Sequence, residues 1–558
     1  MSGSSSAPRG ADILMQALAD QGVRRAFGVP GESFLSVLDA ILDVPDMDFV
    51  TTRHEGGAVY MAEAHGKLTG RPGICFVTRG PGAMHAAIGV HTAQQDSTPM
   101  ILFVGQVARR FKGREAFQEV DFHRHFSDMA KWSDEIDDAD RITEFVGRAF
   151  HAAMAGRPGP VVLALPEDML DGPAQVQPRL APVTVPQPAP SRAELDRLRN
   201  LLVDASRPFV IAGGGGWSRE AADQLLAWAE RDALPVACEL RCQDLFDNLH
   251  PNYAGDIGFG VPPGVAERIR SADCLILLGA RMGEIPSAGY TLIDAPRPAQ
   301  SLVHIHAGPE ETGRVYQADL AITATPAGFL EAVLDSQAVT GGAKRRDWTR
   351  DCHSAHEAAV AAIPPAPGAV DLAVVLGQAR EIMGPRTIVT NGAGNYANWV
   401  HKVWRFRSYR TQLGPVAGGM GYGLPAAVAA ALEEPDRPVL AVAGDGCFLM
   451  TAQELSTAVE QRLGIVILVV NNGMLGTIRM HQERHYPGRV SATDLVNPDF
   501  VALARSYGAW AATVKETGAF ADCLKEALDV DGPALIDLHV DPEAISLFHT
   551  LSQVRGTR

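Results

Sequence analysis

The chain has 558 residues, 46% of them hydrophobic and 20% charged, with a formal net charge of −16. That length sets an expectation of three or four domains, and the acidic balance argues against a nucleic-acid surface while leaving room for a local basic patch around an anionic cofactor. Seven cysteines spread from Cys75 to Cys523 without a CxxC pair fit reduced thiols better than a disulfide frame or a zinc site. No apolar run approaches the roughly eighteen residues of a membrane span, and the opening MSGSSSAPRG lacks the apolar core of a secretory signal. The expected compartment is the cytoplasm, with no membrane partner.

The N-terminal block shows alternating strand and helix patterns. In DFVTTRHEGGAVYMAEAHGKLTG a strand runs into a helix and Glu55 falls at the junction. An acid there is favoured by the helix dipole, by about 0.3 to 1 kcal/mol, and that alone accounts for it. Next, RPGICFVTRGPGAMHAAIGVHTAQQDSTPMILFVGQ reads as strand, glycine turn, helix and strand, with Gly80, Pro81 and Gly82 in the turn. The Pro-rich stretch 178–191 then reads as a linker.

The middle block contains two glycine-bearing turns, VIAGGGGWS (210–218) and LLGARMGE (277–284). A nicotinamide dehydrogenase would require GxGxxG followed by an acid about twenty residues on, and GGGGWS does not supply that pattern cleanly. A second Pro-rich stretch, 361–370, separates the last block. The expected architecture is three α/β domains, each a doubly wound parallel sheet, over 1–177, 190–345 and 366–558.

In the last block, RPVLAVAG reads as a buried strand bounded by Pro438 and Gly444. A helix is expected to follow, with Thr451 and Glu454 as a capping box, Leu455, Ala458 and Val459 as its apolar stripe and Gly464 as its C-terminal cap. IVILVV makes a second strand. A crossover of this kind lays both strands parallel, so their carboxyl ends, carrying Asp445 and Asn472, meet at one edge. With neighbouring strands about 4.8 Å apart, a carboxylate, an amide oxygen and backbone carbonyls there suit Mg2+, which takes few oxygens from protein and the rest from phosphate and water. Gly444, Gly446, Gly473 and Gly476 would admit a diphosphate. The same residues also suit an ordinary pair of turns. The first block repeats this plan without an acid matching Asp445, so it is not expected to bind metal.

The GDG at 444–446, followed at about thirty residues by the asparagine pair 471–472, resembles the signature of the thiamine-diphosphate-dependent enzymes. The resemblance extends over nearly the whole chain: GVPGE (28–32), RHE and the GPG turn are similar to the pyrimidine-binding domain, and QLGPVAGGMGYGLPAAVAAAL (412–432) to the segment supporting the thiazolium ring. It implies metal ligation by Asp445, Asn472 and the carbonyl of Met474. It implies cofactor contacts from Pro30, Gly31, Glu32, Gly82, Gly394, Asn395, Tyr396, Gly418, Met420, Gly444, Gly446, Cys447, Asn472, Met474, Leu475 and Gly476. Glu55 would hydrogen-bond the aminopyrimidine ring and Met420 would wedge between the two rings. The family assembles as a homodimer or homotetramer with active sites at the subunit interface.

Within that family the likeness is nearest to the acetohydroxyacid synthase large subunit, through RHEGGA, GPGA, EAFQEVD, GRPGPVVLALPED and LVNPDF. Gln118 matches the glutamine on the substrate side. Departures concern the acceptor: Glu167 stands where the synthase has a lysine, Ile285 where an arginine grips the acceptor carboxylate, and His481 where a tryptophan stands. His481 is a candidate proton shuttle, and His485, His54 and His85 are weaker ones. The implied activity is a carboligase or decarboxylase that makes or breaks a C–C bond next to a carbonyl through an enamine, from a 2-oxo acid donor and an aldehyde or ketone acceptor. The alternatives are a flavin-linked oxidase of the family and a non-catalytic homologue used in assembly. Some relatives hold FAD in the central domain; here HIHAGP (304–309) lacks two acids that lie near the flavin, so FAD, ADP and an empty spacer all stay open.

Overall fold

The computed structural model describes residues 7–556; the first six residues of the MSGSSSAPRG opening and the last two of the chain lie outside the described residues. They form two compact units, 7–186 with 428–433, and 187–427 with 434–556. Among the described residues no helix is long and apolar enough to cross a membrane.

The first unit holds a six-stranded parallel sheet: β1 (Arg25–Gly28), β2 (Asp48–Thr51), β3 (Gly73–Val77), β4 (Met100–Gln106), β5 (Trp132–Glu135) and β6 (Pro160–Pro166), in the order β2-β1-β3-β4-β6-β5. Its inner strands read as unbroken apolar runs because helices cover both faces, and every residue of β3, β4 and β6 is buried.

The second unit carries two such sheets. The central one comprises β7 (Pro208–Ala212), β8 (Val236–Glu239), β9 (Tyr253–Ile257), β10 (Cys274–Leu278), β11 (Ser301–His306) and β12 (Leu320–Thr323), in the order β12-β11-β10-β7-β8-β9. The last comprises β13 (Ile388–Asn391), β14 (Gln412–Leu413), β15 (Val439–Gly444), β16 (Ile465–Asn471), β17 (Trp510–Val514) and β18 (Ala534–His539), in the order β14-β13-β15-β16-β18-β17. Counted within each sheet, this repeats the strand order of the first unit, which gives the internal echo in the sequence a structural basis. Buried polar contacts tie the central sheet to the last one. Lys402 Nζ reaches both oxygens of Asp256 at 2.9 and 2.8 Å, Asp244 accepts from the N–H groups of Thr411 and Gln412, and Arg241 donates to the Gly392 carbonyl at 2.9 Å.

The expected capping box is not formed. Helix Glu454–Glu460 starts after Gln453; the Thr451 hydroxyl instead donates to the Gly421 carbonyl, and Glu454 accepts from Thr457. Tertiary partners outcompete the local cap. Gly464 does not cap the helix either: the helix closes at Gln461, and Arg462 takes the left-handed turn at φ 50°.

Candidate active site

Asp445 follows β15 directly and opens a one-turn helix, Asp445–Phe448, and β16 runs beside β15 in register, Gly444 opposite Val470. One carboxylate oxygen accepts from the Gly446 N–H at 2.8 Å; the other accepts from the Gly473 N–H and from Asn497 Nδ2, each at 2.8 Å. Burial pushes the carboxyl pKa up, against the pull of these donors. The sequence thus brings Asp445 to the asparagine pair as expected, and the structure adds Asn497, which also donates to Asn471 at 3.0 Å. Asn497 lies in LVNPDF, 52 positions from Asp445, so no local spacing marks it.

The loop after β16 is held from outside. Leu475 donates to the Thr493 carbonyl and Leu495 to that of Gly473, both at 2.8 Å, forming an isolated bridge at Met474 and Asp494. This bridge uses neither the Asn472 side chain nor the Met474 carbonyl. The Asn472 amide oxygen instead accepts from the Met474 N–H at 3.2 Å. Gly473 sits at φ 67°, where a side chain would be strained. A Cβ on Gly446 would lie 2.8 Å from Leu475 and 3.9 Å from Met420, so glycine there admits both side chains. Asp445, Asn472 and the Met474 carbonyl make an all-oxygen donor set of the hard kind that fits Mg2+.

The other expected residues of this block gather at the same edge. Tyr396 donates to Cys447 Sγ at 3.3 Å and accepts from Gly392, and its ring lies 3.0 Å from the Cβ position of Gly444 and 2.7 Å from that of Gly394. Asn395 donates to the Ile545 carbonyl and accepts from Thr477. Gly418, at φ 70°, and Met420 lie in the turn after β14. Gly476 begins helix Gly476–His485, which carries His481 on its exposed side; His481 and His485 stack at 6.3 Å. Desolvation, then Arg484 and His485, lower the His481 pKa.

In the first unit, Glu55 is the first residue of helix Glu55–Thr69, capped by His54, whose Nδ1 accepts from Gly56 at 2.9 Å. Glu55 is mostly buried, and its Oε2 meets Nδ1 of His85 at 2.8 Å. A Cβ on Gly82 would sit 3.3 Å from the other oxygen, and one on Gly31 only 2.6 Å from Thr78. Gln118, at φ 65°, accepts from the Gly80 N–H through its carbonyl at 3.0 Å, which seats it against the start of helix Gly80–Asp96. Pro30 and Glu32 are exposed. Ligand atoms of His54, Glu55 and His85 lie within 4.8 Å of one another, but Nδ1 of His54 is already an acceptor, so hydrogen bonding accounts for the trio. Burial, His85 and, in the opposite sense, Glu55 set the His54 pKa, which is lowered overall. Glu167 is paired with Arg79.

Three family descriptions match the chain in turn. Residues 8–125 match the family description "Thiamine pyrophosphate enzyme, N-terminal TPP binding domain". Residues 195–333 match the central domain of the same enzymes and 392–538 their C-terminal TPP binding domain. The chain is 34% identical over 548 residues to the acetolactate synthase large subunit of Parasynechococcus marenigrum, covering 95% of this chain and 87% of the relative. It is 31% identical to the probable acetolactate synthase large subunit of Methanocaldococcus jannaschii, covering 96% and 92%. It is 30% identical to the acetolactate synthase isozyme 2 large subunit of Escherichia coli K12, covering 95% of each chain.

Proposed function

This chain belongs to the thiamine pyrophosphate enzymes, and from that premise we propose that it is an acetolactate-synthase-like carboligase joining a decarboxylated 2-oxo acid donor to an aldehyde or ketone acceptor. The observation that carries the proposal is the Asp445 carboxylate, buried at a sheet edge and fixed by Gly446, Gly473 and Asn497 at the loop that carries Asn472 and Met474. In our reading these three residues hold Mg2+ and, through it, the diphosphate of thiamine diphosphate. When bound, that cofactor supplies a thiazolium carbon that attacks a carbonyl and takes up the electrons left as carbon dioxide departs.

The chain's own residues position and enclose. Glu55, at a helix start with His85 against it, hydrogen-bonds the pyrimidine end; Met420, close to the Gly446 and Leu475 wall, orients the rings. Gly31, Gly82, Gly394 and Gly444 leave the backbone open where side chains would collide. Gln118 faces the substrate and His481 moves a proton at the acceptor. Glu167 is paired with Arg79 and Ile285 offers no charge, so an uncharged carbonyl acceptor suits the site better than a second 2-oxo acid. The active unit in this reading is a homodimer or homotetramer in the cytoplasm, its sites completed at the subunit interface. The named relatives support the carboligase and lend none to a flavin-linked oxidase or an assembly homologue.

The test is incubation of enzyme loaded with thiamine diphosphate and Mg2+ with pyruvate, glyoxylate or benzoylformate and a panel of aldehydes. Carbon dioxide and a ligated hydroxyketone are expected together. Carbon dioxide without ligated product would leave a simple decarboxylase, and neither would overturn the assignment.

A further inference from the structure

The central sheet has the strand order of a dinucleotide-binding fold, and its switch point lies between β7 and β10. In such sheets a pyrophosphate rests on the glycine turn after the first strand, at the start of the next helix. Here that turn is Gly213–Gly216, ahead of helix Arg219–Asp232.

The crevice above it is filled from three directions. The loops leaving β7 and β10 touch: the Gly213 N–H donates to the Leu278 carbonyl at 3.1 Å, Ala212 and Gly279 form a bridge, and a Cβ on Gly214 would lie 2.2 Å from the Gly279 carbonyl oxygen. Trp217 is buried and donates from its indole to the Gly213 carbonyl at 2.9 Å. Finally, Glu239, the last residue of β8, lies across the turn. A Cβ on Gly213 would be 2.3 Å from its Oε2, while its Oε1 accepts from Met282 at 2.7 Å and Oε2 from Arg281 at 3.3 Å. Both donors are backbone N–H groups of the turn after β10, and Met282 takes φ 49° there.

Position makes this informative. In a dinucleotide-binding sheet an acid near the end of the second strand faces the adenosine ribose. Glu239 stands at that place in the strand order, but its carboxylate crosses the first glycine turn to the far loop. It is 7% exposed. Burial raises its pKa, partly offset by the Met282 and Arg281 donors. On the β11 side, His304 is hydrogen-bonded to the Ala280 carbonyl at 3.0 Å and His306 accepts from Gly308 at 2.9 Å, so one imidazole is tied to the turn after β10 and the other to its own backbone.

We propose that the Glu239 carboxylate is a built-in occupant of the switch-point crevice, taking the backbone N–H donors of Arg281 and Met282 and excluding FAD and ADP from the central domain. The residues present do not fit a dinucleotide. A phosphate laid on Gly213 would meet the Glu239 carboxylate, and the Gly213 N–H is already given to the Leu278 carbonyl.

Equilibrium dialysis of the protein loaded with thiamine diphosphate and Mg2+, against FAD and separately against ADP, tests this. Wild type is expected to retain far less than one ligand per chain, and one FAD or ADP bound per chain would overturn the proposal. Glu239→Ala is expected to bind ADP about tenfold more tightly than wild type; a folded alanine variant that binds no more tightly would overturn the role of Glu239. Should alanine unfold the domain, Glu239→Ser likewise withdraws the side chain from the Arg281 and Met282 N–H groups and from the space over Gly213, and it too must bind ADP more tightly than wild type. Turnover is not the readout, so failure here is separable from failure of the carboligase assignment.

Discussion

Oε2 of Glu55 lies 2.8 Å from Nδ1 of His85, and the His85 ring stacks on His54 with centroids 4.5 Å apart. The pair joins the first turn of helix Glu55–Thr69 to helix Gly80–Asp96, so His85 holds the orientation of the carboxyl that faces Gly82. Hydrogen bonds to charged groups contribute about 1.5 to 3 kcal/mol. His85→Ala is therefore expected to slow turnover by roughly tenfold or more while thiamine diphosphate affinity stays within about twofold of wild type. Steady-state kinetics paired with calorimetric titration of the cofactor check this; unchanged turnover would remove His85 from the account.

Glu55→Gln keeps the shape and one hydrogen-bonding oxygen but cannot exchange a proton. Cofactor retention is expected to survive. Proton–deuterium exchange at the cofactor's reactive carbon, followed by NMR after acid quench, is expected to slow by about 10² to 10⁴, the usual range for a lost general acid–base group. Exchange at the wild-type rate would contradict the role given to Glu55.

The buried pair Lys402–Asp256 spans the central and last sheets with both side chains less than one tenth exposed. Removing one partner leaves the other charge buried and uncompensated, which costs about 3 to 5 kcal/mol. Lys402→Met should lower the free energy of unfolding by that order in a denaturant titration. Lys402→Met with Asp256→Leu should recover much of it.

Asp244 gives a pH dependence with a definite sign. Burial raises its pKa from 3.8 to about 6, against the Thr411 and Gln412 N–H donors. A carboxyl whose folded pKa is raised contributes stability that is fully present below pH 3.8 and lost as pH rises through about 6. The loss is on the order of 3 kcal/mol at 1.36 kcal/mol per unit. Asp244→Asn is expected to lack this pH dependence, so its stability relative to wild type should climb between pH 4 and pH 7, as urea unfolding at each pH will show.

Much of this was legible in the chain. Strands β15 and β16 are apolar runs closed by glycine, by proline or by polar residues, and their shared edge follows from the crossover between them. The repeated strand order of the first and last sheets was foreshadowed by the repeated strand, turn, helix and strand pattern. What escaped was set by distance. Thr451 looks like a helix cap until Gly421, thirty positions away, takes its hydroxyl. Asn497 and Glu239 carry ordinary surface-type side chains in the sequence, and only folding delivers them to Asp445 and the Met282 turn. The Arg79–Glu167 pair is of the same kind, joining residues 88 apart.

The central claim is that Asp445 anchors the metal that anchors the cofactor. It is tested most directly by calorimetric titration of thiamine diphosphate, with Mg2+ present, into cofactor-free wild type and Asp445→Ala, with a chelator run as control. The account predicts stoichiometric binding by wild type, its loss on chelation, and weakening by at least about a hundredfold in the variant, some 2.7 kcal/mol. A folded Asp445→Ala protein that binds the cofactor as wild type does would contradict it.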